Sequence, residues 1–389
     1  MILKPLSSLV LHMKNGTTTE QNQDGRGFPV TRIETIAEGV INAKRTRFVE
    51  LDEDDVERWK LRNGDILLSH INSVEHIGKS AIYQGAPETL IHGMNLLLLR
   101  PNRDLVIPEY LHFGLRSRRI RDHIRARCKR AVNQASINQK ELGAIELPIP
   151  SIDEQRRIVD LLSRAEGIVR MRREVQAKVQ AIIPALFVDM FGDPATNPKG
   201  WPMSAIEDLC SVRTGATPLR EQRLYYDGGT IPWVKTGEVC ESSIVDVEEH
   251  ITEKAVEETN CKVFPVNTIL VAMYGQGQTR GRVGLLKVPA ATNQACAAIL
   301  PGEHINQNFL YALLMMQYER LRAMGRGGNQ ANLNLGMIKS FRVPCPPLGA
   351  QLYFEERRES VVSIAALQAE ALKKAEDVFT SILACSFGN

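Results

Sequence analysis

No apolar run in this sequence approaches the roughly 20 residues that cross a bilayer. Its opening, Met1-Ile2-Leu3-Lys4-Pro5, lacks the charged-then-apolar order of a secretory signal. The seven cysteines are an odd set without a Cys-x-x-Cys pair, which argues against a disulfide framework and against a thiolate zinc site. A reducing, cytoplasmic setting with no membrane partner is the expectation.

Catalytic signatures are also missing. There is no Gly-x-Gly-x-x-Gly opening a helix, no Gly-x-x-x-x-Gly-Lys-Ser/Thr phosphate loop and no His-Glu-x-x-His. Gly275-Gln276-Gly277 leads from a strand into a polar loop, which disfavours a nucleotide site. Asp193-Pro194 and Asn197-Pro198 read as linker turns, and no Asn/Asp-Pro-Pro-aromatic motif accompanies them. The eight histidines are scattered, with no metal-ligand spacing. Asp52, Glu53, Asp54 and Asp55 read as an acidic helix start, favoured there by the helix dipole, in preference to a metal cluster. No catalytic residue, metal or cofactor is therefore expected in this chain.

Charge of either sign is nearly balanced, at +3 overall. One window departs from that balance. Residues 116–130 carry Arg116, Arg118, Arg119, Arg121, Arg125, Arg127, Lys129 and Arg130 against the single acid Asp122. Such a window is either a solvated helix face or a phosphate-facing helix.

What the chain does have is a long repeat. Asn133-Gln134-Ala135-Ser136-Ile137-Asn138 leads through Pro148-Ile149-Pro150 and a helical pattern to Phe191-Gly192-Asp193. Asn329-Gln330-Ala331-Asn332-Leu333-Asn334 leads through Pro344-Cys345-Pro346 to Phe387-Gly388-Asn389. Residue 329 answers 133 and residue 389 answers 193, so the register holds without a gap. A period near half the chain indicates a duplicated two-part unit rather than a solenoid. The expected divisions are a first globular unit at 1–150, a long helix at 151–192, a linker and second globular unit at 193–347, and a second long helix at 348–389. The expected class is α+β.

Within the globular units, short apolar runs read as strands. They include Leu9-Val10-Leu11, Phe28-Pro29-Val30, Ile66-Leu67-Leu68 after the Asn63-Gly64-Asp65 turn, and the run from Met94 to Leu99. Pro108 marks a helix start. The second unit repeats this order. Arg213-Thr214-Gly215-Ala216-Thr217 answers Lys14-Asn15-Gly16-Thr17-Thr18, and Ile231-Pro232-Trp233-Val234-Lys235 answers Phe28-Pro29-Val30-Thr31-Arg32. Ile269-Leu270-Val271 answers Ile66-Leu67-Leu68. The frame recurs while the loop side chains change, as expected when loops on a rigid scaffold carry recognition.

The long helices present heptad-like seams. Ser151-Ile152-Asp153-Glu154 has capping-box form. Ile158, Leu161, Ala165, Ile168, Val175, Val179, Ile182 and Leu186 follow in steps of three and four, interrupted by Arg172. The span 153–190 would be roughly 55 Å long, with Pro184 kinking or ending it. The second seam is Phe354, Val361, Ile364, Ala371, Ala375, Val378 and Ile382, broken by Arg357 and Gln368. Each helix could pack on its own globular unit; seams of this length favour pairing with each other, antiparallel.

Candidate base-reading residues lie in two polar loops. In the second unit they are Tyr274, Gln276, Gln278, Arg280 and Arg282. In the first the matching loop offers Ser69, His70, Asn72 and Lys79. Arginine can take guanine and glutamine adenine bidentately, at roughly 1–3 kcal/mol of discrimination per pair. A helical scaffold that binds no nucleic acid remains the alternative.

Pro148-Ile149-Pro150, then Glu154-Gln155 and Ile158, then a long helix and Phe191-Gly192-Asp193-Pro194, resembles the specificity subunit of type I restriction–modification systems. The resemblance spans the whole chain. It implies two target-recognition domains, each reading one half of a bipartite duplex site, and an antiparallel helix pair that sets the spacing. It also implies that the loops 14–18 (with Lys14, Thr17 and Thr18), 69–79, 213–217 (with Arg213 and Thr217) and 274–282 face the duplex, with Arg32 and Lys235 as further DNA contacts. It implies no activity in this chain. Two methyltransferase subunits would carry S-adenosylmethionine, and a motor-nuclease restriction subunit would use ATP and magnesium. Gln155, Ile158, Leu161, Ile168, Val175, Val179 and Ile182, with Gln351, Phe354, Ile364, Val378 and Ile382, would serve helix pairing or partner docking. The second copy departs from the pattern in having Ala350-Gln351 for Glu154-Gln155 and Phe354 for Ile158.

Overall fold

The structure is a computed structural model that describes residues 2–131, 134–241, 243–275, 277–325 and 332–388. Asn133, Gln276, Asn329, Gln330 and Asn389, each singled out above, lie outside the described residues. The chain divides into two units. The first comprises Met1–Arg173 and Glu370–Asn389, the second Glu174–Ala369. Each is a mixed α+β body holding the start of one long helix and the end of the other.

In the first unit an antiparallel four-stranded sheet runs in the order Val10–Asn15, Leu97–Pro101, Ile66–Leu68 and Ser80–Ile82. The continuous apolar runs form the inner strands because both sheet faces are covered. In the second unit the same order recurs as Val212–Thr214, Cys296–Ile299, Ile269–Ala272 and Val283–Leu286, with Ser243–Ile244 added in parallel at the edge. Even the register matches, with Ile66 opposite both Leu99 and Ile82, and Ile269 opposite both Ile299 and Leu285. The expected strand at residues 9–11 is displaced. Leu6–Leu9 forms a helical turn with Leu6 and Leu9 buried, and the strand begins at Val10. The central strand likewise starts at Leu97, and Met94 is exposed in the preceding turn.

The Pro-x-Pro segment closes each unit onto its own beginning. Glu146–Ile149 pairs antiparallel with Ile2–Pro5, and Arg342–Pro344 with Met203–Ala205. The long helices start just beyond. Ile152–Phe191 and Leu348–Phe387 are each 40 residues, about 60 Å at 1.5 Å per residue. Pro184 does not end the first helix, which continues to Phe191. The capping box is half made. Ser151 Oγ accepts from Glu154 N at 3.4 Å, but the Glu154 carboxylate is held by Arg157 through bonds of 2.8 and 2.9 Å.

In the first unit, Ile158 and Leu162 from the start of one helix share a core with Leu383 and Phe387 from the end of the other. The Phe387 ring lies 4.8 Å from Tyr110. In the second unit Phe187 and Phe191 share a core with Phe354 and Phe309, and Phe187 stacks on Phe309 at 5.3 Å. Within each unit the start of one helix thus lies beside the end of the other, which is the antiparallel arrangement. Arg173 meets Glu376 at 2.6 Å on this pair, an exposed contact of small energetic weight.

The buried stripe corrects the seam read from sequence. Ile158, Leu162, Ala165, Val169 and Val179 are buried, whereas Leu161, Ile168, Val175 and Ile182 are 38–49% exposed. In the second helix Phe354 is buried and Ile382 partly so, while Ile364 and Val378 are exposed. The pattern was degenerate. Leu161 adjoins Leu162 and Ile168 adjoins Val169, so steps of three and four fit two neighbouring stripes equally well.

Gln155 and Gln351 do not pair the helices either. Both are fully buried. Gln155 Oε1 accepts from Ile107 N at 2.9 Å, and its Nε2 donates to the carbonyls of Leu105 at 3.2 Å and Pro150 at 3.1 Å. Gln351 Oε1 accepts from Asn306 N at 2.8 Å, and its Nε2 donates to Pro346 O at 2.7 Å. Ile107 immediately precedes the helix Pro108–Arg116, and Asn306 precedes Gln307–Met316. In each copy one amide therefore ties the Pro-x-Pro turn and the domain's main helix to the long helix.

Two buried histidines give the first unit an acid sensitivity. His92 Nε2 bonds Leu96 O at 2.9 Å, and His112 Nε2 bonds Ser80 O at 3.3 Å. Burial pushes both pKa values down to about 4. The unfolded chain, titrating near 6.5, binds protons that the folded unit refuses. Stability from both is complete above pH 6.5 and is lost as pH falls toward 4. By pH 5 the loss should be about 2 kcal/mol per histidine. Thermal melts at pH 7 and pH 5 should show it, and a His92→Gln/His112→Gln double variant should lose this part of the pH dependence.

Candidate nucleic-acid interface

The loops that carry the nominated readers are pinned by matched contacts. Thr17 N donates to His92 O at 2.9 Å, and Ala216 N donates to Thr292 O at 3.0 Å. The glycine before each must be glycine. A Cβ on Gly16 would lie 2.1 Å from His92 O, and one on Gly215 would lie 1.8 Å from Thr292 O. The repeated Gly at this place records a close backbone approach.

In the first unit the structure turns three nominees inward. Thr17, Ser69 and His70 are buried, so they brace the loops and present no group to solvent. Thr17 Oγ1 meets Thr19 Oγ1 at 2.7 Å. The His70 ring bonds Asn15 at 3.3 Å, Asn15 accepts from Gln139 at 3.1 Å, and burial holds the His70 pKa down. Asn72 donates to Ser69 Oγ at 3.1 Å. Lys14 lies 4.9 Å over the Trp59 ring and donates to Arg58 O. Its pKa is lowered by burial and then by the nearby Arg100 and Arg58. Arg32 is paired with Glu34 at 3.3 Å and also bonds Gln21. Lys79 donates to Ala37 O at 3.2 Å. Thr18 is exposed.

The second unit keeps more of its nominees outward. Arg213, Tyr274 and Gln278 are exposed. Arg282 donates to Gln278 Oε1 at 3.0 Å, and Tyr318 Oη donates to Gln278 O at 2.8 Å, fixing the turn. Arg280 Nε and Arg282 Nε are buried without a hydrogen-bond partner among the described residues. Thr217 donates to Gln294 Oε1. Lys235 is neutralised by Glu248 at 2.8 Å and Glu249 at 3.4 Å, and the Glu248 bond leads in raising its pKa. A lysine held this way contributes little to attracting phosphate.

Two clusters had no clear signature in the sequence. Arg220 lies 4.9 Å over both Tyr226 and Trp233 while paired with Glu249 at 2.7 Å. Trp59 receives Lys14 and Arg58, the latter at 5.1 Å. Only the flanking cations Arg58 and Lys60 marked Trp59, and nothing marked Arg220. Among the described residues no group of three or more His, Cys, Asp or Glu could hold a metal ion. No described helix is long and apolar enough to cross a membrane.

Comparison with known proteins falls on the same duplication. The family model for the type I restriction modification DNA specificity domain matches twice, at residues 8–181 and 198–353. A Methanocaldococcus jannaschii protein named as the MjaX specificity subunit of a type I restriction enzyme is 29% identical, over 98% of this chain and 92% of its own length. The EcoKI specificity subunit of Escherichia coli K12 is 25% identical over 55% of this chain and 47% of its own. Among solved structures, a chain from work on the assembly and conformational transition of a type I R-M system matches with TM-score 0.61 and 18% identity. It covers 99% of this chain and 97% of that one. The S subunit of a type I system from M. genitalium matches with TM-score 0.57 and 13% identity, covering 100% of this chain and 96% of its own. Two domain matches, one in each half of an internally repeated chain, place it in the family of type I restriction–modification DNA specificity proteins.

Proposed function

We propose that this chain is the DNA-reading, non-catalytic subunit of a type I restriction–modification complex. Each unit reads one half of a bipartite duplex site, and two methyltransferase subunits dock on the domains and helices. The chemistry is supplied by those partners. S-adenosylmethionine would bind the methyltransferase subunits, and ATP and magnesium would serve the restriction subunit. A cytoplasmic setting fits this role. The observation that carries the reading is the matched frame with unmatched tips. Sheet order, register, glutamine clamp and pinned glycine recur in both units, while the loop side chains beside them differ.

The exposed residues Leu161, Ile168, Val175 and Ile182, with Ile364 and Val378, are left for methyltransferase docking once they are excluded from the buried stripe. Thr18, Arg213, Tyr274 and Gln278, all exposed, are the nominees best placed for the duplex, and Gln276 and Arg280 are kept as nominees on the sequence alone. Purified with its methyltransferase partners, the chain should bind duplex DNA with an affinity that falls steeply with salt. A chain that assembles with the methyltransferase but gives no salt-dependent duplex binding would be a scaffold instead.

A further inference from the structure

The first unit contains a cavity of about 580 Å³ that none of the loop contacts above explains. It lies between the helix Arg118–Arg127, the turn at Gly78, residues 37–39 and the second long helix at Phe379. Ligand sites commonly have this size. Its lining carries Lys79, Arg116, Arg118, Arg121 and Arg125 against the two acids Glu38 and Asp122.

Those acids do not neutralise the set. Glu38 is taken by Arg45 at 2.7 Å. Asp122 stands 3.6 Å from Arg118 and 3.5 Å from Arg125, longer than the roughly 2.7–2.9 Å of a strong charge-assisted bond. Arg116 is satisfied by Glu166 at 2.6 Å. Arg121 is half-buried, and burial followed by the charges of Arg125 and Arg116 pushes its pKa down. The Ser80 hydroxyl is buried in the same wall with no hydrogen-bond partner among the described residues. A desolvated cation in a positive field and an unpaired buried hydroxyl are both costly, and an anion would relieve both.

The cavity adjoins the segment at residues 69–79. Gly78, with φ +80°, brings that segment against the arginine helix so closely that a Cβ would lie 3.2 Å from Ile124. Gly281, with φ +87°, does the same in the second unit against the Arg322 backbone. There the arginines are occupied. Arg322 donates to Tyr318 Oη at 3.0 Å and Arg320 to Gln317 Oε1 at 2.8 Å.

We propose that the cavity is a phosphate site, in which Arg121, Arg118, Arg125 and the Ser80 hydroxyl hold phosphate groups of the duplex backbone next to the first reading segment. This rests on the reading of residues 69–79 as DNA-facing, which with Ser69 and His70 buried falls on the exposed Ile71, Val74 and Glu75. The site would position the duplex without reading sequence, since phosphate contacts carry no base information.

The test uses the full chain in its methyltransferase complex, carrying Arg121→Gln/Arg125→Gln. Arg118→Gln, at a side chain 91% exposed whose ion pair with Asp122 is 3.6 Å long, is a second variant expected to cost little stability. Duplex affinity is measured against salt for a cognate and a scrambled sequence. The double variant should lose about tenfold on both duplexes, flatten the log–log salt slope by about 1–2, and leave the methylated sequence unchanged. Binding of tripolyphosphate to the DNA-free complex is the second arm. If wild type binds it, the variant does not, and the salt slope is unaltered, the site stands and its phosphate comes from a free anion. Slope and tripolyphosphate binding both unaltered would overturn the proposal. Exchange of residues 69–79 without effect on the methylated sequence would instead overturn the reading assignment, whatever the slope shows.

Discussion

Gln155→Ala should destabilise the first unit by about 3 kcal/mol, far more than removing any charge on the exposed face of the same helix. The substitution deletes three hydrogen bonds and leaves Ile107 N–H and the carbonyls of Leu105 and Pro150 unpaired in a site closed to water. Each buried group stripped of its partner costs about 1–3 kcal/mol. Exposed pairs made by the same helix, such as Arg156 with Asp153 or, across to the second long helix, Arg173 with Glu376, should contribute less than about 1 kcal/mol. The choice of replacement separates hydrogen bonding from packing. Leucine restores the volume but pairs nothing, so Gln155→Leu should recover little. Gln155→Glu keeps an acceptor for Ile107 but loses both donations and buries a charge, so it should be as damaging as alanine. Gln351→Ala should cost the second unit somewhat less, because two bonds are lost there. Denaturant unfolding of the full chain, with hydrogen exchange followed at residues 105–107, measures this. Full recovery by leucine would mean that the amide fills space and clamps nothing.

Lengthening both long helices by one heptad should widen the gap between the two half-sites by about 3 base pairs. Seven residues add about 10 Å of helix at 1.5 Å each, and successive base pairs are about 3.4 Å apart. Insertion after Arg173 in the first helix and before Glu376 in the second leaves that facing pair on one side of both insertions. A heptad keeps the buried stripe in phase, whereas four residues would rotate it and should cost stability instead. Mapping the methylated site of the lengthened protein gives the spacing. An unchanged gap would mean that the helices do not set it.

Much of this was written in the sequence, and the parts that were not have physical reasons. Continuous apolar runs such as Ile66–Leu68 and Ile269–Ala272 announced the inner strands because strands covered on both faces need no alternation. The repeat announced the duplication because it keeps its register to the last residue. The choice between Leu161 and Leu162 was hidden, since both satisfy the same spacing and only packing selects the second. The role of Gln155 was hidden because its amide bonds backbone groups about 50 positions away. Ser69 and His70 looked like readers because a polar residue in a loop has one appearance in sequence whether it faces water or braces the turn. Lys235 looked like a DNA contact because sequence does not show Glu248 and Glu249, which hold it at 2.8 and 3.4 Å.

The central claim is that one polypeptide reads two separate DNA words with two independent domains. The most direct measurement is methylome sequencing of a host in which residues 69–79 have been exchanged for the corresponding loop of a relative. Two independent readers predict that one half of the methylated sequence changes while the other half and the spacing stay as they were. A change in both halves, or in neither, would contradict it.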